Sequence, residues 1–244
     1  MRLHILGCGD AFGSGGRNQS GYLIESASGL FLLDCGPTTL PALKKAGIDP
    51  RRIDVIFISH LHGDHFGGLP FFFIEYLFQR KRQTPLQIAG PPNTERKVRD
   101  LFQIMYGQGD TPRELPPTRF HVLNPGSRAS VHNVHIFSFR VPHQVEEVSL
   151  GLKLTCDGKS LLFSGDSLWC DAFVDYAAGV DLFLCECTFY TPQEGNHVSY
   201  KDIEANRQRL GCRKLLLTHL GEEMLARRSE VAVDCAEDGM IIDF

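Results

Sequence analysis

Between Ser59 and Gly68 the chain reads Ser59-His60-Leu61-His62-Gly63-Asp64-His65-Phe66-Gly67-Gly68. Four side chains able to ligate a metal crowd into six residues, directly after the apolar run Ile53 to Ile58 and directly before an apolar helical segment that begins at Leu69. In an extended stretch residues i and i+2 face one side, so His60 and His62 can share one ion, while a turn at Gly63 lets Asp64 and His65 reach a second. With ten His and sixteen Asp in 244 residues, independent placement produces H-x-H-x-D-H only about once in a thousand chains. The segment reads as a strand end, a turn and a helix start gathered around a metal centre.

Four ligands do not complete two sites, and three further titratable residues stand at the ends of apolar strands. They are His143 after Phe137 to Val141, Asp166 in Leu162-Phe163-Ser164-Gly165-Asp166-Ser167, and His219 after Leu215-Leu216-Leu217-Thr218. Together the set offers five His and two Asp, enough for two four- or five-coordinate ions sharing one bridging carboxylate. A chain of this length buries roughly 70 to 75% of its unfolded surface and needs no metal staple to fold. A metal held here is therefore expected to be functional.

The remaining composition narrows the class. No run of 18 apolar residues exists, and the longest apolar stretch, Leu69 to Phe78, is broken by Pro70 and Glu75, so no membrane span is expected. A net charge of -4 argues against a surface that attracts polyanions everywhere. Met1 to Gly9 lacks the features of a secretory signal, which points to a cytoplasmic protein. The eight cysteines contain no C-x-x-C pair and read as reduced core thiols. No linker or repeat divides the chain, so a single domain over residues 1–244 is expected.

Strands are predicted at 3–6, 21–25, 30–34, 55–59, 86–89, 134–140, 150–155, 160–164, 182–186, 215–218 and 240–244. Helices are predicted at 39–46, 69–82, 94–106, 171–177, 200–210 and 222–227. Strands in consecutive pairs alongside strands between helices suggest two sheets with helices outside. The segment Phe71 to Phe78 is apolar almost all round, so it must be covered on more than one side, by core, by a cleft or by a second subunit. His4, His121, His132 and His135 read as surface or strand residues. The basic groups Arg80 to Arg82, Arg96 to Arg99 and Arg227-Arg228 read as solvated charge on helix faces or ends.

These motifs resemble the metallo-β-lactamase-fold hydrolases. The resemblance implies an α/β protein built as a four-layer αββα sandwich. It places His60, His62 and His143 on one metal and Asp64, His65 and His219 on the other, with Asp166 bridging. Asp34, in Leu32-Leu33-Asp34-Cys35-Gly36, matches the strand-end acid that supports the ligand loop. Further matches resemble the ribonuclease Z-like and cyclic phosphodiesterase branch: Gly7-Cys8-Gly9 with Gly13 to Asn18, His62 to Pro70, Glu186-Cys187-Thr188-Phe189, His197-Val198-Ser199, and Glu237-Asp238-Gly239-Met240.

The implied activity is binuclear, metal-dependent phosphodiester hydrolysis, with Asp64, His197 and Glu186 in catalytic roles. The cofactors implied are two divalent ions, zinc by the nitrogen-rich ligands, with manganese or iron as alternatives. Ribonuclease Z carries a long tRNA-gripping insertion between the third histidine motif and the bridging Asp, whereas here only Cys156-Asp157-Gly158-Lys159 separates Thr155 from Ser160. A small or cyclic phosphodiester, or a short RNA end, is thus the expected substrate, with nucleic acid not favoured as a partner. A clamp-less tRNA 3′ endonuclease and a glyoxalase II-like thioesterase are the alternatives, the latter family lacking the Glu186 and His197 pair. A homodimer through Phe71 to Phe78 is a further expectation. Only Cys8 and Cys35 lie near the N-terminus, so an additional cysteine-rich zinc site is not expected.

Overall fold

A computed structural model describes residues 1–79, 81–82, 84–109, 114–193 and 195–244. The first half runs β1 (Arg2–Gly7), β2 (Gly21–Ser26), β3 (Gly29–Leu33), α1 (Thr39–Lys45), β4 (Ile53–Phe57), α2 (Gly63–Phe66), α3 (Leu69–Ile74), β5 (Leu86–Gly90), α4 (Thr94–Tyr106) and β6 (Thr118–Val122). The second half runs β7 (Arg128–Val131), β8 (Val134–Arg140), β9 (Leu150–Cys156), β10 (Lys159–Phe163), α5 (Ala172–Ala177), β11 (Leu182–Glu186), α6 (Tyr200–Asn206), β12 (Lys214–Thr218), α7 (Glu222–Ala226), β13 (Asp234–Cys235) and β14 (Ile241–Asp243). Strand order is β14-β1-β2-β3-β4-β5-β6 in one sheet and β13-β12-β11-β10-β9-β8-β7 in the other.

Why the strands read as near-continuous apolar runs follows from the layers. In β3, Phe31 and Leu33 point into the core between the sheets, with Ile5, Tyr22 and Phe57 on the same side and Leu152, Leu161, Phe163 and Leu184 facing them. The alternate residues Leu30 and Leu32 pack outward with Ile56 and Ile88 against Leu43 of α1, Phe72 and Phe73 of α3, and Val98 and Phe102 of α4. On the far side, Leu162, Phe183 and Leu217 pack against Phe173 of α5, Ile203 of α6 and Met224 of α7. A strand covered on both faces needs apolar residues at every position, because successive side chains point to opposite faces. The result is the four-layer αββα sandwich expected from the resemblance.

The differences from the predicted elements have local causes. The helix expected over 69–82 stops at Ile74 and continues as a wider π-helical turn over Glu75–Gln79. Arg80 lies outside the described residues, and Lys81 and Arg82 are not helical. Arg82 is not a free surface cation: its guanidinium donates to the Arg51 and Ile53 carbonyls and lies over the Tyr76 ring. Phe72, Phe73 and Tyr76 are core residues of their own chain, leaving Phe78 as the exposed ring of this segment. The connection between β9 and β10 is shorter than the four residues expected. Lys159 pairs with Cys156, so only Asp157 and Gly158 form the turn, both at positive φ. That is the two-residue hairpin geometry that Asp-Gly favours.

All eight cysteines are free. Burial pushes the Cys8 thiol up to about 12 and holds Cys35, Cys185 and Cys187 well above the ordinary range, so they behave as small core residues.

Candidate metal centre

The parallel strands β3-β4-β5 of one sheet and β10-β11-β12 of the other place their C-terminal ends at one edge of the sandwich. Ligands of α/β sheets gather at such ends. Beyond β3, Asp34 adopts a left-handed conformation with φ 56° and is fully buried. Its carboxylate accepts from the Ser59 N–H (2.8 Å), the Ser59 hydroxyl (2.8 Å) and His65 Nδ1 (2.7 Å). Beyond β4, residues 58–62 form no regular element, His62 is extended (φ −84°, ψ 150°), and α2 turns His65 back to Asp34. The turn needs Gly68: a Cβ there would sit 2.2 Å from the Gly36 carbonyl oxygen.

Among the described residues there are four overlapping groups whose ligating atoms lie within 4.8 Å of one another, and two of them take in the predicted ligands: His60, His62 and His143 in the first, and Asp64, His65, Asp166 and His219 in the second; the other two, His143-Asp166-His197 and Glu186-His197-His219, bring His197 and Glu186 against them. Asp166 Oδ2 stands between the first two groups, 3.1 Å from His65 Nε2, 3.4 Å from His219, 3.7 Å from His60 and 3.9 Å from His143. His219 reaches its place with φ 55°, a costly conformation for a residue with a Cβ, and it is buried.

The fit to metal ions follows from the protons. The Ser59 hydroxyl donates to Asp34, so it must accept from His60 Nδ1 (3.1 Å). His65 Nδ1 donates to Asp34, His143 Nδ1 to the Asn196 carbonyl (2.9 Å), and His219 Nδ1 to Thr188 Oγ1 (2.9 Å), whose own proton goes to Glu186 (3.0 Å). Four imidazoles thus turn Nε2 toward the centre, the outer-shell arrangement that metal-bound histidines adopt. His60 Nε2 and His143 Nε2 each lie 3.1 Å from His62 Nδ1, and His65 Nε2 is buried without a hydrogen-bond partner. Ring nitrogens that face one another and face carboxylates at such distances form a cradle that suits cations. The donor set of imidazoles and carboxylates fits divalent ions.

The electrostatics of the two groups differ. Burial holds His60, His62 and His143 below the usual imidazole range, hence neutral and ready to ligate. Burial also opposes charge on His65 and His219, but Asp166 and Asp64 outweigh it and raise both. Reciprocally, burial works to raise Asp64 and Asp166, and the facing imidazoles keep both below the carboxylate range.

His197 and Glu186 sit beside this cradle. His197 Nδ1 lies 2.9 Å from Glu186 Oε1, which also accepts the Ser167 N–H at 2.6 Å. The His197 ring stacks on His219 at 5.3 Å and meets His143 edge-on at 5.0 Å, so it spans both ligand groups. Burial lowers its basicity, yet Glu186 and then Asp166 overcome this and push it up to about 9. Its loop is fixed by the Ser199–Asp202 capping box at the start of α6.

Every ligand predicted from the sequence is in this cluster. His4, His121 and His135 lie on strands, paired with Glu25, Gln87 and Ser130. Three residues that orient the site were not assigned a role from sequence: Ser59, Thr188 and Asn196. Asn196 also closes a reciprocal pair by donating to the His143 carbonyl (2.7 Å).

Fold and site define a metal-dependent hydrolase of the metallo-β-lactamase fold. Residues 1–236 match the family model described as anti-Pycsar protein Apyc1, and the chain belongs to that family. It is 26% identical over 282 residues to ribonuclease Z of Methanothermobacter thermautotrophicus, covering 97% of this chain and 91% of the relative. To the probable metallo-hydrolase YhfI of Bacillus subtilis it is 26% identical over 231 residues, covering 90% and 87%. The crystal structure of the human tRNase Z short form superposes with a TM-score of 0.80 at 25% identity, covering 100% and 99%. The chain is thus a hydrolase of the phosphodiesterase, ribonuclease Z-like kind.

Proposed function

We propose that this chain hydrolyses a small cyclic nucleotide at a two-metal centre held by His60, His62, Asp64, His65, His143, Asp166 and His219. The observation that carries the reading is the His197 and Glu186 pair, 2.9 Å apart and set against both ligand groups. Two divalent ions bound here, zinc by the nitrogen-rich donor set, would polarise the phosphoryl oxygens and supply hydroxide near neutral pH.

The protein's own groups do the rest. Asp166 faces both ligand groups and balances their charge, while Asp64 closes the second group and is positioned to accept a proton as the nucleophile forms. His197, whose cationic form Glu186 favours through Nδ1, presents its other N–H to the phosphoryl group. As the P–O bond to the leaving oxygen breaks, that proton neutralises the alkoxide. Water is consumed and one phosphate monoester is released.

A cyclic mononucleotide is favoured over a folded RNA by the family match, by the net charge of -4, and by the two-residue Asp157-Gly158 turn, which is too short to form a gripping arm. The likeness to ribonuclease Z over 97% of the chain keeps tRNA 3′ processing as the second reading. Among the described residues no helix is long and apolar enough to cross a membrane. A cytoplasmic enzyme, homodimeric through the Phe71 to Phe78 segment at its exposed Phe78, completes the proposal. Turnover of 3′,5′-cyclic nucleotides, precursor tRNA and a thioester by the zinc-loaded protein tests it. The expected order is cyclic nucleotide first, and efficient tRNA cleavage without cyclic-nucleotide turnover would replace this reading with the second.

A further inference from the structure

A cavity of about 590 Å³ opens from His197 and His219 and runs between the glycine-rich loop after β1 and the loop after β11. Its volume suits one nucleotide. Phe12 is among its lining residues and is 92% exposed, an unusual state for a ring at a concave site. Phe189 lines it too, its ring 6.2 Å from His197 and nearly perpendicular to it.

The backbone that carries Phe12 is fixed. The buried Asp10 carboxylate accepts from the Phe12 N–H (3.2 Å), the Ser14 N–H (3.0 Å) and the Ser14 hydroxyl (2.7 Å). The first two residues of α7 tie both loops to one element. Glu222 accepts from the Gly15 N–H of the glycine-rich loop (3.1 Å), and Glu223 accepts from the Thr191 hydroxyl (2.8 Å) and the Tyr190 N–H (3.1 Å) of the opposite loop. The cavity is therefore preformed. No Lys or Arg lines it among the described residues, whereas Asp10, Glu222 and Glu223 do. A second phosphate would find no counter-charge there.

We infer that this cavity is a base-binding subsite in which Phe12 and Phe189 stack the nucleobase of a substrate carrying a single phosphate, so that mononucleotides rather than oligonucleotides are accepted. The inference rests on the phosphodiesterase reading for the position of the phosphate, but base binding can be read without turnover. Base-to-aromatic stacking is sequence-tolerant and strong enough to matter for affinity.

The test is calorimetric binding of a nucleoside 5′-monophosphate and of ribose 5-phosphate to the zinc-loaded protein, with size-exclusion chromatography of each variant. Wild type is expected to prefer the base-bearing ligand by about tenfold or more. Phe12→Ala should abolish most of that preference with the elution volume unchanged, and Phe12→Trp should restore it. Because Phe12 is 92% exposed, its replacement removes no core packing. Equal affinity for the two ligands, failure of both to bind, or a Phe12→Ala variant that changes oligomeric state while keeping the preference would overturn the inference. Phosphodiester turnover without base preference sinks only this inference. Base preference without phosphodiester turnover sinks only the reading it builds on.

Discussion

Asp34 and His65, 31 residues apart, are joined by a 2.7 Å hydrogen bond in a place where both side chains are wholly buried. The bond fixes the His65 ring so that Nε2 faces Asp64 and Asp166, and the Asp34 carboxylate spends its other contacts on Ser59. Asp34→Asn should therefore weaken metal binding about 10- to 100-fold, the usual cost of losing an outer-shell carboxylate. Competition with a chelator measures it. Unchanged affinity would mean that His65 is oriented by its own packing.

Asp166 makes a different prediction because its Oδ2 lies within 3.9 Å of imidazoles from both ligand groups. Elemental analysis should find two metals per chain in the wild type, and Asp166→Ala should retain one or none. A variant that still carries two would remove Asp166 from the bridging position.

The His197 and Glu186 pair predicts a kinetic defect without a metal defect. His197→Ala should lower kcat on a cyclic nucleotide by roughly 10² to 10⁴, with metal content intact. Since Glu186 and Asp166 push His197 up to about 9, the wild-type rate should hold through neutral pH and fall as pH rises through that value. The variant should lack this alkaline limb.

Glu223 predicts how the loop beside the cavity responds to acid. Burial opposes its charge, but the Thr191 hydroxyl, the Tyr190 and Thr191 N–H groups and Gln193 hold its carboxyl below the ordinary range. A folded-state value below the unfolded one contributes stability that is complete above the ordinary glutamate value of about 4.3 and is lost as pH falls through the lower folded value. Hydrogen-exchange protection of the Tyr190 and Thr191 amides should decline over that acid window. In Glu223→Gln the decline should be absent.

The candidate ligands were conspicuous in the sequence because His60, His62, His143, Asp166 and His219 stand just past apolar strands, with Asp64 and His65 following on α2. The central strands were legible for the related reason that β3 and β11 are covered on both faces, so Phe31-Leu32-Leu33 and Leu182-Phe183-Leu184 read as unbroken apolar runs. Strands β6 and β7 end their sheets, with Arg119, Val122 and Arg128 exposed, and so carry little burial signal. The four-residue α2 is too short to show a helical period. Thr188 and Asn196 lie in irregular loops, and their value comes from partners 31 and 53 residues away, which no local pattern encodes. The stop of α3 at Ile74 was hidden because its apolar residues run on through the π-helical turn.

The central claim, that two metals on this cradle make a phosphodiesterase, is tested most directly by adding zinc in measured equivalents to metal-free protein and following hydrolysis of a 3′,5′-cyclic nucleotide. The rate should climb to a plateau at two equivalents per chain. A plateau at one equivalent, or no hydrolysis at any loading, would contradict it.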